Sequence, residues 1–203
     1  VEFSVFGHLP HLLCPVISDA EETIGTLTWL VEEMERRFKI LSTNGSRNVY
    51  SYNQKVNGSK KAKPIPYIVL IIDELADLMV ARGKDLEGKI VRIAQMARAV
   101  GIHLEVATQR PSVEVITGLI KANITSRVSF QLPTQTDSRT VLDMSGAEKL
   151  LGKGDLLFVP PDKPTPIRLQ GAMVNDQEII NVVSFLKNQG VPPEYKEEIL
   201  DMP

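Results

Sequence analysis

The chain has 203 residues, 43% of them hydrophobic, which allows one sizeable buried core with minor appendages. Its 23 basic and 25 acidic residues leave a formal charge of −2, so no overall positive field marks a nucleic-acid partner, and any such binding must rest on local loops. A single cysteine, Cys14, excludes an internal disulfide, and no apolar run approaches the roughly 20 residues of a membrane helix.

The chain opens at Val1 in mid-pattern, without an initiator Met or a basic-then-apolar leader, and reads as a piece of a longer protein, though a processed terminus would look the same. After Pro10 and Pro15, Ser18-Asp19-Ala20-Glu21 has capping-box spacing. Ile24, Leu27, Val31, Met34, Phe38 and Leu41 then recur at three- and four-residue steps, which predicts a long helix stopped at Asn44-Gly45. Trp29 lies just off that stripe and is assigned to packing. Residues 57–66 are polar, basic and proline-bearing, a surface loop.

Tyr67 to Ile72 is an unbroken, β-branched apolar run, predicted as a strand buried on both faces. Leu86, Ile90, Ile93 and Ala97 form the next helical stripe, closed by Gly101, and Ile102 to Thr108 is a second strand. Strand, helix and strand over about forty residues make a βαβ unit. Further strands are expected at Arg127–Gln131, Asp155–Val159 and Ile167–Ala172. Asn175-x-x-Glu178 caps a last helix running to Lys187.

Two strand ends carry chemistry. In open parallel sheets, ligands bind beyond the carboxyl ends of the strands. Asp73 and Glu74 emerge there, where an Asp can hold magnesium through its waters and a Glu can polarise an attacking water. The neighbouring strand ends in Thr108-Gln109-Arg110-Pro111, whose polar groups suit a γ-phosphate or that water. Taken singly, each is also what a plain strand-to-loop transition requires. Two adjacent strands with chemically matched ends say more than either.

These residues resemble the motor domain of the FtsK/SpoIIIE family of bacterial DNA translocases. The matching stretches are Leu9-Pro-His-Leu-Leu13, Glu33-Met-Glu-Arg-Arg-Phe38, Ile71-Ile-Asp-Glu-Leu-Ala-Asp77 and, most specifically, Ala107-Thr-Gln-Arg-Pro-Ser112 running into Val115–Ile124. Asp137-Ser-Arg-Thr140, Gly146-Ala-Glu148, Leu151-Gly152, Gly154-Asp155, Pro166-Ile-Arg168 and Gly171-Ala172 extend the likeness over nearly the whole chain. The resemblance implies an α/β fold: a RecA-like P-loop ATPase core, a mostly parallel sheet flanked by helices, truncated on its N-terminal side. Residues 1–66 would be a helical segment and basic loop, 67–188 the sheet core and 189–203 a tail.

It further implies ATP and Mg2+ as cofactors of the parent protein, double-stranded DNA as partner and a homo-hexameric ring. Asp73 and Glu74 would take the magnesium and water-activating roles, Gln109 a sensor role with Thr108 beside it, and Arg127 that of a finger reaching the next subunit's nucleotide. Arg139, Lys163, Thr165 and Arg168 would face DNA in the channel, touching phosphates without reading sequence. For each arginine the plain alternative is a surface ion pair. The family's role is in chromosome segregation at division or sporulation, and its motor faces the cytoplasm beneath a membrane anchor that this segment does not contact.

The family's G-x-x-x-x-G-K-[ST] loop is expected upstream of the first helix, where residues 1–17 match the stretch after it. Gly83–Lys89 has the G-x4-G-K spacing, yet Ile90 stands where the hydroxyl belongs. Gly58-Ser59-Lys60 is no better. The expectation is that this segment alone is not ATPase-active. Two other readings stay open: a related ring ATPase of conjugation or type VII secretion, and a non-catalytic DNA-binding or assembly module. His8 and His11 have no further ligands clustered nearby in sequence to suggest a metal.

Overall fold

Residues 68–72 form β1 (Ile68–Ile72) and residues 102–106 form β2 (Ile102–Val106), paired in parallel with Ile68 opposite Ile102 and Ile72 opposite Val106. The computed structural model describes residues 2–59 and 61–199. The chain divides into two compact units, Leu27–Thr125 and Val1–Thr26 with Ser126–Pro203, and each is taken by itself.

In the first unit, α1 (Ala20–Thr43, its first turns belonging to the other unit) is followed by α2 (Val49–Val56). The α1 cap is Asp19, whose Oδ1 accepts from the amides of Glu21 and Glu22, one residue later than the capping-box reading placed it. The stripe buries Leu27, Met34 and Leu41, together with Trp29 and Leu30. Between β1 and β2 runs α3 (Leu75–Met96), whose Leu86, Ile90 and Ile93 are fully enclosed. Each such side chain contributes about 1.5–3 kcal/mol by leaving water.

A short 3-10 turn, Ala97–Val100, then delivers the chain to Gly101 at φ 75°. Only glycine takes that conformation at little cost, and here a Cβ would also sit 2.7 Å from Val49 Cγ1. Gly83 to Lys89 lies inside α3, beyond a kink at Arg82, so its amides serve the helix and do not line a phosphate loop. A short α4 (Gly118–Asn123) is capped by Thr117, whose hydroxyl also meets Glu87 of α3.

β1 differs from the expected strand in one respect. Ile72 is buried, but Val69 and Ile71 are 58% and 50% exposed. Alternate residues of β1 thus point to a face that is largely open, while Ile68, Leu70 and Ile72 are covered wholly or in part. The apolar run therefore records a face that asks for cover.

In the second unit, β3 (Arg127–Ser129), β4 (Asp155–Val159) and β5 (Ile167–Gln170) form an antiparallel sheet in the order β3-β4-β5. One face packs on a core of Leu142, Ala147, Leu150 and Val159, with Leu132, Val141, Met144 and Leu157 around it. α5 (Gln135–Leu142) is capped by Thr134. Ser138 is wholly buried yet satisfied, donating to the Met144 carbonyl and accepting from the Ala147 amide. α6 (Asp176–Lys187) begins with the predicted capping box, Asn175 and Glu178 each bonding the other's amide. The Lys196 amide reaches the Leu13 carbonyl at 2.8 Å, tying the last segment to the first. No helix among the described residues is long and apolar enough to cross a membrane.

Candidate functional site

The parallel register of β1 and β2 brings Asp73-Glu74 and Thr108-Gln109 to one rim. Backbone bonds fix the approach: the Ala107 amide donates to the Ile72 carbonyl at 2.8 Å, and the Leu75 amide to the Ala107 carbonyl at 2.9 Å. Glu74 caps α3, and its Oε1 accepts from the Ala76 amide at 3.0 Å. The same oxygen receives the Thr108 hydroxyl, while Oε2 accepts from the Gln109 amide at 2.9 Å.

Partial burial works to raise the Glu74 pKa. The Thr108 hydroxyl, the Gln109 and Ala76 amides and the charge of Arg110 outweigh it, so the group titrates below the usual glutamate range. Asp73, half-buried beside it, takes no side-chain hydrogen bond from the described residues. No group of three or more His, Cys, Asp or Glu side chains that could hold a metal occurs among the described residues. A lone carboxylate with free oxygens fits a magnesium ion that keeps most of its waters, since that ion typically binds one or two carboxylates plus phosphates.

Two further residues meet at this rim, and the resemblance gives neither a role. The Arg110 guanidinium pairs with Asp77 in the first turn of α3, and the Arg110 amide donates to Thr108 Oγ1 at 3.0 Å. Their signal in the sequence is a pair of opposite charges, one helical turn past Asp73 and one residue past Gln109. Which charges would meet is not legible without the strand register.

The remaining predicted residues lie in the other unit, on separate elements. Arg127 opens β3, and its Nη1 donates to the Val141 carbonyl at 3.0 Å and to Asp143, while its buried Nε has no partner. Arg139 is exposed on α5, and Lys163 and Thr165 are exposed in the connection between β4 and β5. Arg168, on β5, grips Asp155 of β4 with two bonds of 2.9 and 2.7 Å. That fork and the Leu151 amide pull the Asp155 pKa down to about 2.

The family model of the FtsK/SpoIIIE family matches residues 1–113, more than half of the chain. The chain belongs to that family. Among its relatives are the DNA translocase FtsK of Clostridium acetobutylicum, 53% identical over 201 residues, and the DNA translocase SpoIIIE of Bacillus subtilis, 51% identical over 205. These alignments cover 99% and 98% of the chain but 26% of each relative. This FtsK/SpoIIIE segment thus spans about a quarter of the length of the curated relatives it matches.

Its fold is that of the conjugation coupling protein TcpA of pCW3, solved with ATPγS, at TM-score 0.74 and 31% identity over 85% of this chain and 51% of that one. The type VII secretion ATPase EccC of Thermomonospora curvata shares the fold at TM-score 0.70 and 21% identity, covering 91% of this chain and 21% of that one. The FtsK/SpoIIIE segment is therefore a RecA-like α/β ATPase fold with its parallel pair flanked by helices.

Proposed function

We propose that the segment is part of an ATP-driven double-stranded DNA translocase that moves chromosomes at division or sporulation. The observation that carries this is the rim where Glu74, Thr108 and Gln109 converge beside the uncommitted Asp73. The relatives called DNA translocases, above 50% identical, favour it over the conjugation reading that TcpA suggests at 31%.

In this reading, ATP supplies the phosphoryl group that water attacks. Asp73 would hold a hydrated magnesium ion, Glu74 would take the proton from the attacking water, and Gln109 would sense the nucleotide through its exposed side chain. Arg127 acts on a neighbouring subunit of a hexameric ring, where its rigid fork suits charge spread over phosphate oxygens. Arg139, Lys163, Thr165 and Arg168 serve the DNA side, and the motor works at the cytoplasmic face of the membrane that anchors the longer protein. The segment by itself is inactive in this reading, because its 203 residues contain no G-x-x-x-x-G-K-[ST] loop to grip the phosphates.

ATP hydrolysis with and without long duplex DNA tests this, on the segment and on a form extended upstream by roughly one βαβ unit. The expected result is hydrolysis by the extended form alone, stimulated by DNA and abolished by Glu74→Ala. An extended form that stays inert while binding DNA or a protein would leave a non-catalytic module in its place.

A further inference from the structure

Thr108 has one hydroxyl proton to give. Its oxygen already accepts from the Arg110 amide at 3.0 Å, so the proton goes to Glu74 Oε1. That oxygen also takes the Ala76 amide, which uses both its lone pairs, and Oε2 takes the Gln109 amide. The carboxylate is turned back onto the start of its own helix and held there. The ion pair between Arg110 and Asp77 ties the segment after β2 to the first turn of α3, on the same two elements.

We propose that Thr108, oriented by the Arg110 amide and braced by the Asp77–Arg110 pair, is a positioning residue that parks Glu74 until its hydroxyl is called to another acceptor. The inference rests on the water-activating role proposed above for Glu74. A single proton cannot serve Glu74 and a phosphate oxygen together, so the two partners of Thr108 exclude one another. Nucleotide pressed fully into the rim once duplex is bound would draw the hydroxyl away and return Glu74 to its task. Hydrolysis would thereby wait for a correctly seated substrate.

The test uses the upstream-extended motor and compares wild type, Thr108→Val, Thr108→Ser and Asp77→Asn, measuring ATP turnover without DNA and with saturating duplex. Losing one hydrogen bond to a charged group should raise the DNA-free rate of Thr108→Val about tenfold and compress its stimulation ratio. Thr108→Ser keeps the hydroxyl and should restore the restraint, while Asp77→Asn should release it in part. A Thr108→Val motor slower under both conditions in equal proportion would overturn the parking role and make Thr108 a direct ligand.

Amide hydrogen exchange on the segment itself gives a readout independent of turnover. Glu74→Ala should speed exchange at Gln109 and leave Leu104, within β2, unchanged. Unaltered Gln109 exchange would also overturn the inference. A wild-type extended motor with no hydrolysis would instead sink the proposed function, which separates the two failures.

Discussion

Arg37 is 2% exposed, a full charge inside the first unit, and its surroundings explain how it is tolerated. Its Nε donates to Glu33 Oε1 at 2.7 Å and its Nη1 to the Val100 carbonyl at 2.9 Å. Arg36 binds the same carboxylate but is 58% exposed. Removing one partner of a buried pair leaves the other charge uncompensated, whereas an exposed pair contributes little. Glu33→Ala should therefore cost about 3 kcal/mol in urea unfolding, and Arg36→Ala less than about 1 kcal/mol. Comparable losses in the two variants would contradict this account.

Asp155 and Arg168 allow a pH argument. Folding lowers the Asp155 pKa from 3.8 to about 2, so the pair's contribution is complete above the ordinary carboxylate range and fades as pH falls toward 2. The unfolding midpoint of Arg168→Ala should lie below wild type at about pH 7, and the gap should narrow below about pH 4. A gap that holds constant with pH would place the loss elsewhere. Sequence alone shows Arg168 as a cation in a matching stretch. Its partner stands 13 residues earlier, across a hairpin, and only the register of Leu157 opposite Arg168 and Asp155 opposite Gln170 brings the two together.

At the scale of elements, periodicity serves where the elements are long or strongly apolar. The stripe of α1 and the Leu86–Ile93 face of α3 are legible because each repeats over several turns, and the limits of β4 because Leu156–Val159 is a continuous apolar run between Asp155 and Pro160. The short α2 is not, because eight residues with Val49, Tyr52 and Val56 buried give too brief a period to distinguish from chance. α5 escapes for a related reason: its buried face is Ser138, Thr140 and Leu142, mostly polar. The antiparallel pairing of β3, β4 and β5 is a matter of connections, and a strand's composition does not state its direction. Gly101 joins the levels: the residue that ends the α3 stripe in sequence is also the close contact with Val49. Gly101→Ala meets both the left-handed backbone and that contact, and should cost at least about 2 kcal/mol without altering helix content. A thermal midpoint within error of wild type would show that the 97–102 segment relaxes freely.

For the whole molecule, the net charge of −2 sets the terms for any duplex partner. DNA attraction has to come from a few local cations, and the structure ranks the candidates differently from the sequence. Lys163 and Thr165 stand exposed with Arg139, while Arg168, though 56% exposed, already satisfies Asp155 in a bidentate grip. Each phosphate neutralised by a cation adds about 0.9 to the slope of log affinity against log salt. If the proposed DNA-facing role holds, Lys163→Ala in the upstream-extended protein should flatten that slope by about 0.9 for each phosphate the lysine had neutralised, and weaken binding equally across unrelated DNA sequences. Arg168→Ala should lower stability first, so its effect on the slope is to be read only where the unfolding midpoint shows the protein intact. If Lys163→Ala weakens binding yet keeps the slope, the connection between β4 and β5 does not touch phosphates. The DNA-facing role would then pass to Arg139 on α5, whose own substitution would have to carry the change in slope.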